Sequence, residues 1–168
     1  MILAVLSGTP LWVYALFAYL LQAGAQRLRS RRVGLGRLWA APALFVAWGL
    51  AGLAGHPGPF AATLACWLLG AALGALIGRR LEPAPLFDHA GRQALLPASA
   101  VPLLRNLAIF GAHYLLHVAA ALAWAPSLAL MRWDAAVSGL GAGYFAGWAL
   151  GLVRRRIAHG AAVAGAAR

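Results

Sequence analysis

Apolar residues gather in five blocks, separated by short segments where arginine, proline and turn-forming residues concentrate. The blocks run at about 8–26, 38–54, 60–78, 103–124 and 135–153. Each approaches the roughly 17–25 residues that a helix needs to cross a bilayer. The first opens on Thr9-Pro10, a start signal, since threonine caps helices and proline is tolerated in the first turn. The second stops at the breaker cluster His56-Pro57-Gly58-Pro59. Between blocks three and four, Pro83, Pro85, Pro97 and Pro102 rule out one continuous helix. The stretch Leu86-Phe-Asp88-His-Ala-Gly91-Arg predicts a tight turn there, and with it a short β-hairpin within 79–102. The expected fold is an all-α integral membrane protein, one transmembrane domain over 1–168 with no large soluble part.

The polar segments predict how the chain is threaded. Arg27, Arg29, Arg31, Arg32 and Arg37 lie between blocks one and two. Arg79, Arg80, Arg92 and Arg105 are assigned to the segment between blocks three and four, and Arg154, Arg155, Arg156 and Arg168 follow block five. Only Arg132 falls on the other side, so the positive-inside rule predicts N-out/C-in. No basic residue precedes the first block, which reads as a retained span and not as a signal peptide. Trp12, Trp39, Trp124 and Trp133 fall near expected span ends, as interfacial belt residues do.

Composition agrees with this class. Hydrophobic residues make up 63% and charged residues 10% of the 168, too few charges to cover a water-facing surface. Every one of the 14 basic residues is arginine, and the net charge is +11. Because the arginines sit between apolar blocks and not along one face, the charge points to topology and anionic lipid head groups, with no nucleic acid. Arg27, Arg29, Arg31, Arg32, Arg154, Arg155 and Arg156 are the residues expected to meet those head groups. The single cysteine, Cys66, excludes an intramolecular disulfide. Abundant alanine, glycine and arginine without lysine suit a GC-rich bacterial genome, and the expected location is the bacterial inner membrane.

Two blocks carry glycine at every fourth position: Gly70, Gly74 and Gly78 in the third, and Gly139, Gly143, Gly147 and Gly151 in the fifth. Such stripes let helix backbones approach closely in lipid. They predict either packing between helices of one chain or a homodimer face.

The candidate chemistry lies in Gly111-Ala-His-Tyr-Leu-Leu-His-Val118, where His113 and His117 share a helix face near mid-membrane. Tyr144 and Tyr19 fall near the same depth, and the four form a candidate polar interior site. Glu82, Asp88 and Asp134 are all expected in loops, leaving no acidic group in any span. That weakens a proton-pump reading. His113 and His117 with Cys66 could make a metal site, although zinc needs three or four ligands. One histidine could instead be an axial haem ligand. The plainer reading makes both neutral groups bonded to tyrosine, serine or backbone carbonyl, with no resident cofactor. No hydrolase elbow, Walker loop or dinucleotide fingerprint appears.

The opening Leu6-Ser-Gly-Thr-Pro-Leu-Trp-Val-Tyr14 resembles an uncharacterised family of small bacterial inner-membrane proteins that begin with Gly-Thr-Pro-x-Trp-Val. The likeness continues through Gly70–Gly78, Asp88–Arg92 and Leu96–Pro102. It implies the membrane fold and the location and carries no activity. The functional expectation is a multi-pass protein without catalysis, serving as a packing, scaffold or accessory subunit. The alternatives are an oligomeric small-solute carrier or channel, with a water-accessible cavity reaching His113 and Tyr144, and a metal or haem carrier.

Overall fold

A computed structural model describes residues 8–54, 59–81, 85–88 and 93–166. Helix α1 spans Leu11–Ala25 and runs into a 3-10 turn, Gln26–Leu28. Strand β1 (Arg31–Gly34) leads into α2 (Leu35–Ala54), followed by α3 (Phe60–Leu81). Strands β2 (Leu86–Phe87) and β3 (Gln93–Leu96) precede α4 (Val101–Ala121) and α5 (Ser127–Ala166). The chain is mostly helical, and among the described residues three helical stretches are long and apolar enough to cross a membrane: Phe60–Leu81, Val101–Ala121 and Ser127–Ala158. At 15 residues, α1 rises about 22 Å, short of the roughly 30 Å hydrocarbon core. The apolar part of α2, Leu38–Ala54, is also shorter than the other three.

Several boundaries differ from the sequence expectation, each for a physical reason. Thr9 does not cap α1; Pro10 takes the cap position without a side-chain bond, and the Thr9 hydroxyl meets the Tyr114 hydroxyl at 2.9 Å instead. Helix α3 continues through Arg79 and Arg80. Helix α4 begins at Val101 with Pro102 in its first turn, which makes Arg105 a helical residue and not part of the loop. It closes where Ala123 turns left-handed, at φ 49°, and the Trp124 amide donates back to the Ala119 carbonyl. Helix α5 is far longer than 135–153 because charge marks where a helix leaves lipid, not where it ends. Arg132, Trp133, Asp134 and Arg154–Arg156 are therefore helical.

The two glycine stripes close on each other. A methyl added at Gly70, Gly74 or Gly78 would strike the carbonyl oxygens of Ala136, Leu140 and Tyr144 on α5. Reciprocally, Gly139, Gly143 and Gly147 face the carbonyls of Trp67, Ala71 and Ala75 on α3. This is the backbone contact that small residues permit, close enough for Cα–H groups to meet carbonyls. Gly151 lies beyond the seam, with nothing within 4 Å of an added methyl. A homodimer through these stripes would require the chain to give up its own α3–α5 contact. On the opposite face of α3, Leu68, Leu69, Leu73 and Leu76 are all more than half exposed. Small residues inside and leucines outside invert the pattern of a water-soluble domain.

The expected hairpin is present as β2–β3, and Asp88 shapes its turn by accepting from the Gln93 amide at 3.0 Å. The rest of that turn, His89–Arg92, lies outside the described residues, as do residues 56–58, 82–84 and Arg168. A third strand joins it from the first arginine-rich segment, read from sequence as a loop: β1 pairs antiparallel with β3, Arg31 opposite Leu96 and Val33 opposite Ala94. Val33, Leu38, Ala94, Leu96 and Leu152 form a small core beneath this sheet, joined by Trp39, Phe87 and Trp148. Trp39 thus packs inside, while Trp12, Trp124 and Trp133 stay largely exposed.

Candidate functional site

Two helix pairs flank a cleft. Helix α1 lies along α4, with Gly24 against Leu103, the Phe17 and Phe110 rings 5.4 Å apart, and Thr9 bonded to Tyr114. Helix α2 lies on α5, where Phe45 stacks on Phe145 at 4.2 Å and Gly49 admits the methyl of Ala142. The space between the pairs measures about 1470 Å³. Its walls are largely apolar, with Leu16, Leu20, Leu44, Trp48, Phe110 and Val137 among the residues facing it.

Two groups of charged side chains stand along the cleft, and Thr9, Tyr19, Gln22, Tyr114 and Ser138 also line it. At the sheet end, Arg27 and Arg31 face the cleft together with Arg105 and Asn106. The ends of these segments are stitched together: the Ser99 amide donates to the Arg27 carbonyl at 2.8 Å, and the Ala98 amide to the Ser30 hydroxyl at 3.2 Å. Arg105 donates through Nε and Nη2 to the Asn106 side-chain oxygen, at 3.2 and 3.0 Å. Its guanidinium sits 5.0 Å from the Tyr144 ring centre and 4.4 Å from that of Phe145. Those ring faces hold the cation by their quadrupoles.

The second group lies two helical turns further along α4, about 12 Å from Arg105 at the usual rise per residue. There His113 Nδ1 and Asp134 Oδ1 are 2.8 Å apart, joining α4 to α5. Both side chains are about one-third exposed, at 32% and 31%, and both face the cleft. This corrects the expectation that no acidic residue lies within a helix. The sequence held a usable signal: His113 lies eight residues before the end of α4 and Asp134 seven after the start of α5. An antiparallel helix hairpin sets such positions level.

The candidate polar residues separate. His113, His117 and Tyr19 all line the cleft, but no hydrogen bond joins His117 to the described residues. Tyr144 does not line it; its side chain is only 2% exposed, at the α3–α5 seam beneath Arg105. Among the described residues no three His, Cys, Asp or Glu side chains gather to hold a metal ion. Cys66 sits on α3, which contributes nothing to the cleft lining, so His113, His117 and Cys66 do not converge. Of the arginines expected at head groups, Arg27 and Arg31 reach the cleft, while Arg29, Arg32 and Arg154–Arg156 are exposed beside it or at the far end of α5.

The fold and the cleft define a helical protein suited by its apolar helices to a membrane, with a large mostly apolar recess. No protein family, curated protein or solved structure matches the chain.

Proposed function

We propose that the chain is a non-catalytic, five-span protein of the bacterial inner membrane, N-out/C-in, that holds a hydrophobic or amphiphilic ligand in its cleft. The cleft carries this reading. At about 1470 Å³ it exceeds the roughly 300–1,000 Å³ of ordinary small-molecule sites. A subunit serving only to pack against others has no need for an open recess of this size. The spans and orientation draw support from the arginine distribution and from the β1–β3 pairing, which requires residues 31–34 and 93–96 to share one side.

The test uses single cysteines in a Cys66→Ser background of the full-length protein. Ile109→Cys and Val137→Cys, both facing the cleft, should react with a small uncharged maleimide about as readily as Leu69→Cys on the exposed face of α3. Silence at both cleft positions while Leu69→Cys reacts would mean a closed interior and would defeat the binding role.

A further inference from the structure

We infer that the cleft binds a quinone or quinol, its flat ring seated at His113 and His117 and its tail lying along the cleft; the inference rests on the binding role proposed above. Three observations carry it. The first is the bond that His113 makes. Asp134 Oδ1 stands 2.8 Å from Nδ1, which leaves Nε2 as the ring nitrogen for a ligand, with no hydrogen bond to the described residues. In a neutral ring Nδ1–H donates to the carboxylate and Nε2 accepts; in a protonated ring Nε2–H donates. A quinol hydroxyl suits the first state and a quinone carbonyl the second. One turn along α4, His117 faces the same cleft, exposed and without a hydrogen bond to the described residues. Side chains at this spacing start about 5–6 Å apart, within reach of the oxygens of a single head group.

The second is the aromatic wall beside the histidines. Phe110 and Tyr114 both line the cleft, with ring planes only 7° apart and centres 6.2 Å apart. Phe17 supports the first ring at 5.4 Å, and Thr9 meets the hydroxyl of the second at 2.9 Å. Trp12, one turn beyond Thr9, lines the cleft as well. Such faces favour a planar ring stacked in an offset arrangement. A fatty alcohol would offer His113 a hydroxyl but no ring to lie against them.

The third is depth. His113 lies eight residues and His117 four before the end of α4 at Ala121, about 12 and 6 Å inside that end. Helix α4 is of spanning length, and a charged head group brought to this depth is costly. An anion would also meet the Asp134 carboxylate, and a cation would have to displace His113 from it. A neutral ring does neither. Toward the sheet end the walls continue through Leu16, Leu20, Leu44 and Ile109, with Tyr19 and Gln22 among them. An alkyl or prenyl tail finds its apolar contacts along those four aliphatic side chains.

The test compares three probes on the detergent-purified full-length protein, with affinities read from the concentration dependence of the melting temperature. They are decylubiquinone, decylbenzene, which keeps ring and tail without oxygens, and dodecanol, which keeps a hydroxyl and tail without a ring. Decylubiquinone should bind at least tenfold more tightly than either of the others. Each of His113→Gln and His117→Leu should weaken it about fivefold, the worth of one hydrogen bond, and leave decylbenzene unchanged. His117 is exposed, so its variant keeps the test valid if His113→Gln fails to fold. Equal affinity for decylubiquinone and decylbenzene, or decylubiquinone binding that ignores both histidine variants, would overturn the assignment and leave the cleft as a site for apolar chains. Dodecanol binding as tightly as decylubiquinone would overturn the requirement for a ring. Binding by none of the three would overturn both the assignment and the binding role.

Discussion

At the residue scale, small differences in position decide whether a glycine is indispensable. At Gly74 and Gly143 even one methyl meets backbone carbonyl atoms that cannot yield. Alanine there should cost about 1–3 kcal/mol through overpacking. Gly111 and Gly151 are also helical, but nothing stands within 4 Å of an added methyl. Alanine at either should stabilise by about 0.5–1 kcal/mol, the helix-interior penalty of glycine. Melting temperatures of the four variants check the pattern, and equal effects at all four would refute the seam. Periodicity could identify the stripes, but it could not say that Gly151, on the same register, falls outside the contact. The histidines show a similar limit. Spacing put His113 and His117 on one face, yet only His113 finds a carboxylate. A double-mutant cycle on His113→Ala and Asp134→Asn should give a coupling of about 0.6–1.7 kcal/mol, the range for hydrogen bonds between membrane helices. His117→Ala should leave stability nearly unchanged; a loss as large as that of His113→Ala would contradict the assigned pairing.

At the element scale, the hairpin was legible and its third strand was not. Asp88, with glycine three positions on and apolar flanks, is a turn signal with a local mechanism. Arg31-Arg-Val-Gly34 has none, because two charges and a glycine resemble any cytoplasmic loop. What makes it a strand is nonlocal: Val33 turns inward onto Ala94, which is fully buried, while Arg31 and Arg32 stay exposed. The central strand β3 should therefore be sensitive at Ala94. Ala94→Leu is expected to lower stability by about 1–3 kcal/mol and to loosen the start of α4 along with the sheet. Hydrogen exchange reads the second effect through faster exchange at the Ser99 amide, whose partner is the Arg27 carbonyl. Destabilisation with the Ser99 amide still protected would show that the sheet and the foot of α4 are not coupled. The long α5 makes the complementary point. Hydropathy finds its apolar middle, but its charged ends continue the same hydrogen-bonded ladder, so hydropathy alone does not show Asp134 as a helical partner for His113.

At the scale of the whole molecule, the sheet constrains the threading more tightly than hydropathy does. Strand β1 precedes α2 and β3 follows α3, yet the two strands are hydrogen-bonded neighbours. Any membrane crossing by α3 must then be matched by one in α2, although the apolar part of α2 is the shorter. Helix α1 follows α4 from Leu103 to Tyr114 through Gly24, Phe17 and Thr9, and α4 is of spanning length. On the proposed five-span topology, the same parity would place Leu28 and Ala98 on one side of the membrane and Ser127 on the other. Single cysteines at these positions, in a Cys66→Ser background, test this with a membrane-impermeant maleimide applied to intact cells. Ser127→Cys should react at once from outside, whereas Leu28→Cys and Ala98→Cys should react only after permeabilisation. Opposite behaviour of Leu28→Cys and Ala98→Cys would separate β1 from β3 across the bilayer and dismantle the sheet. Labelling of all three from outside would instead remove the crossing between α4 and α5, and with it the five-span topology.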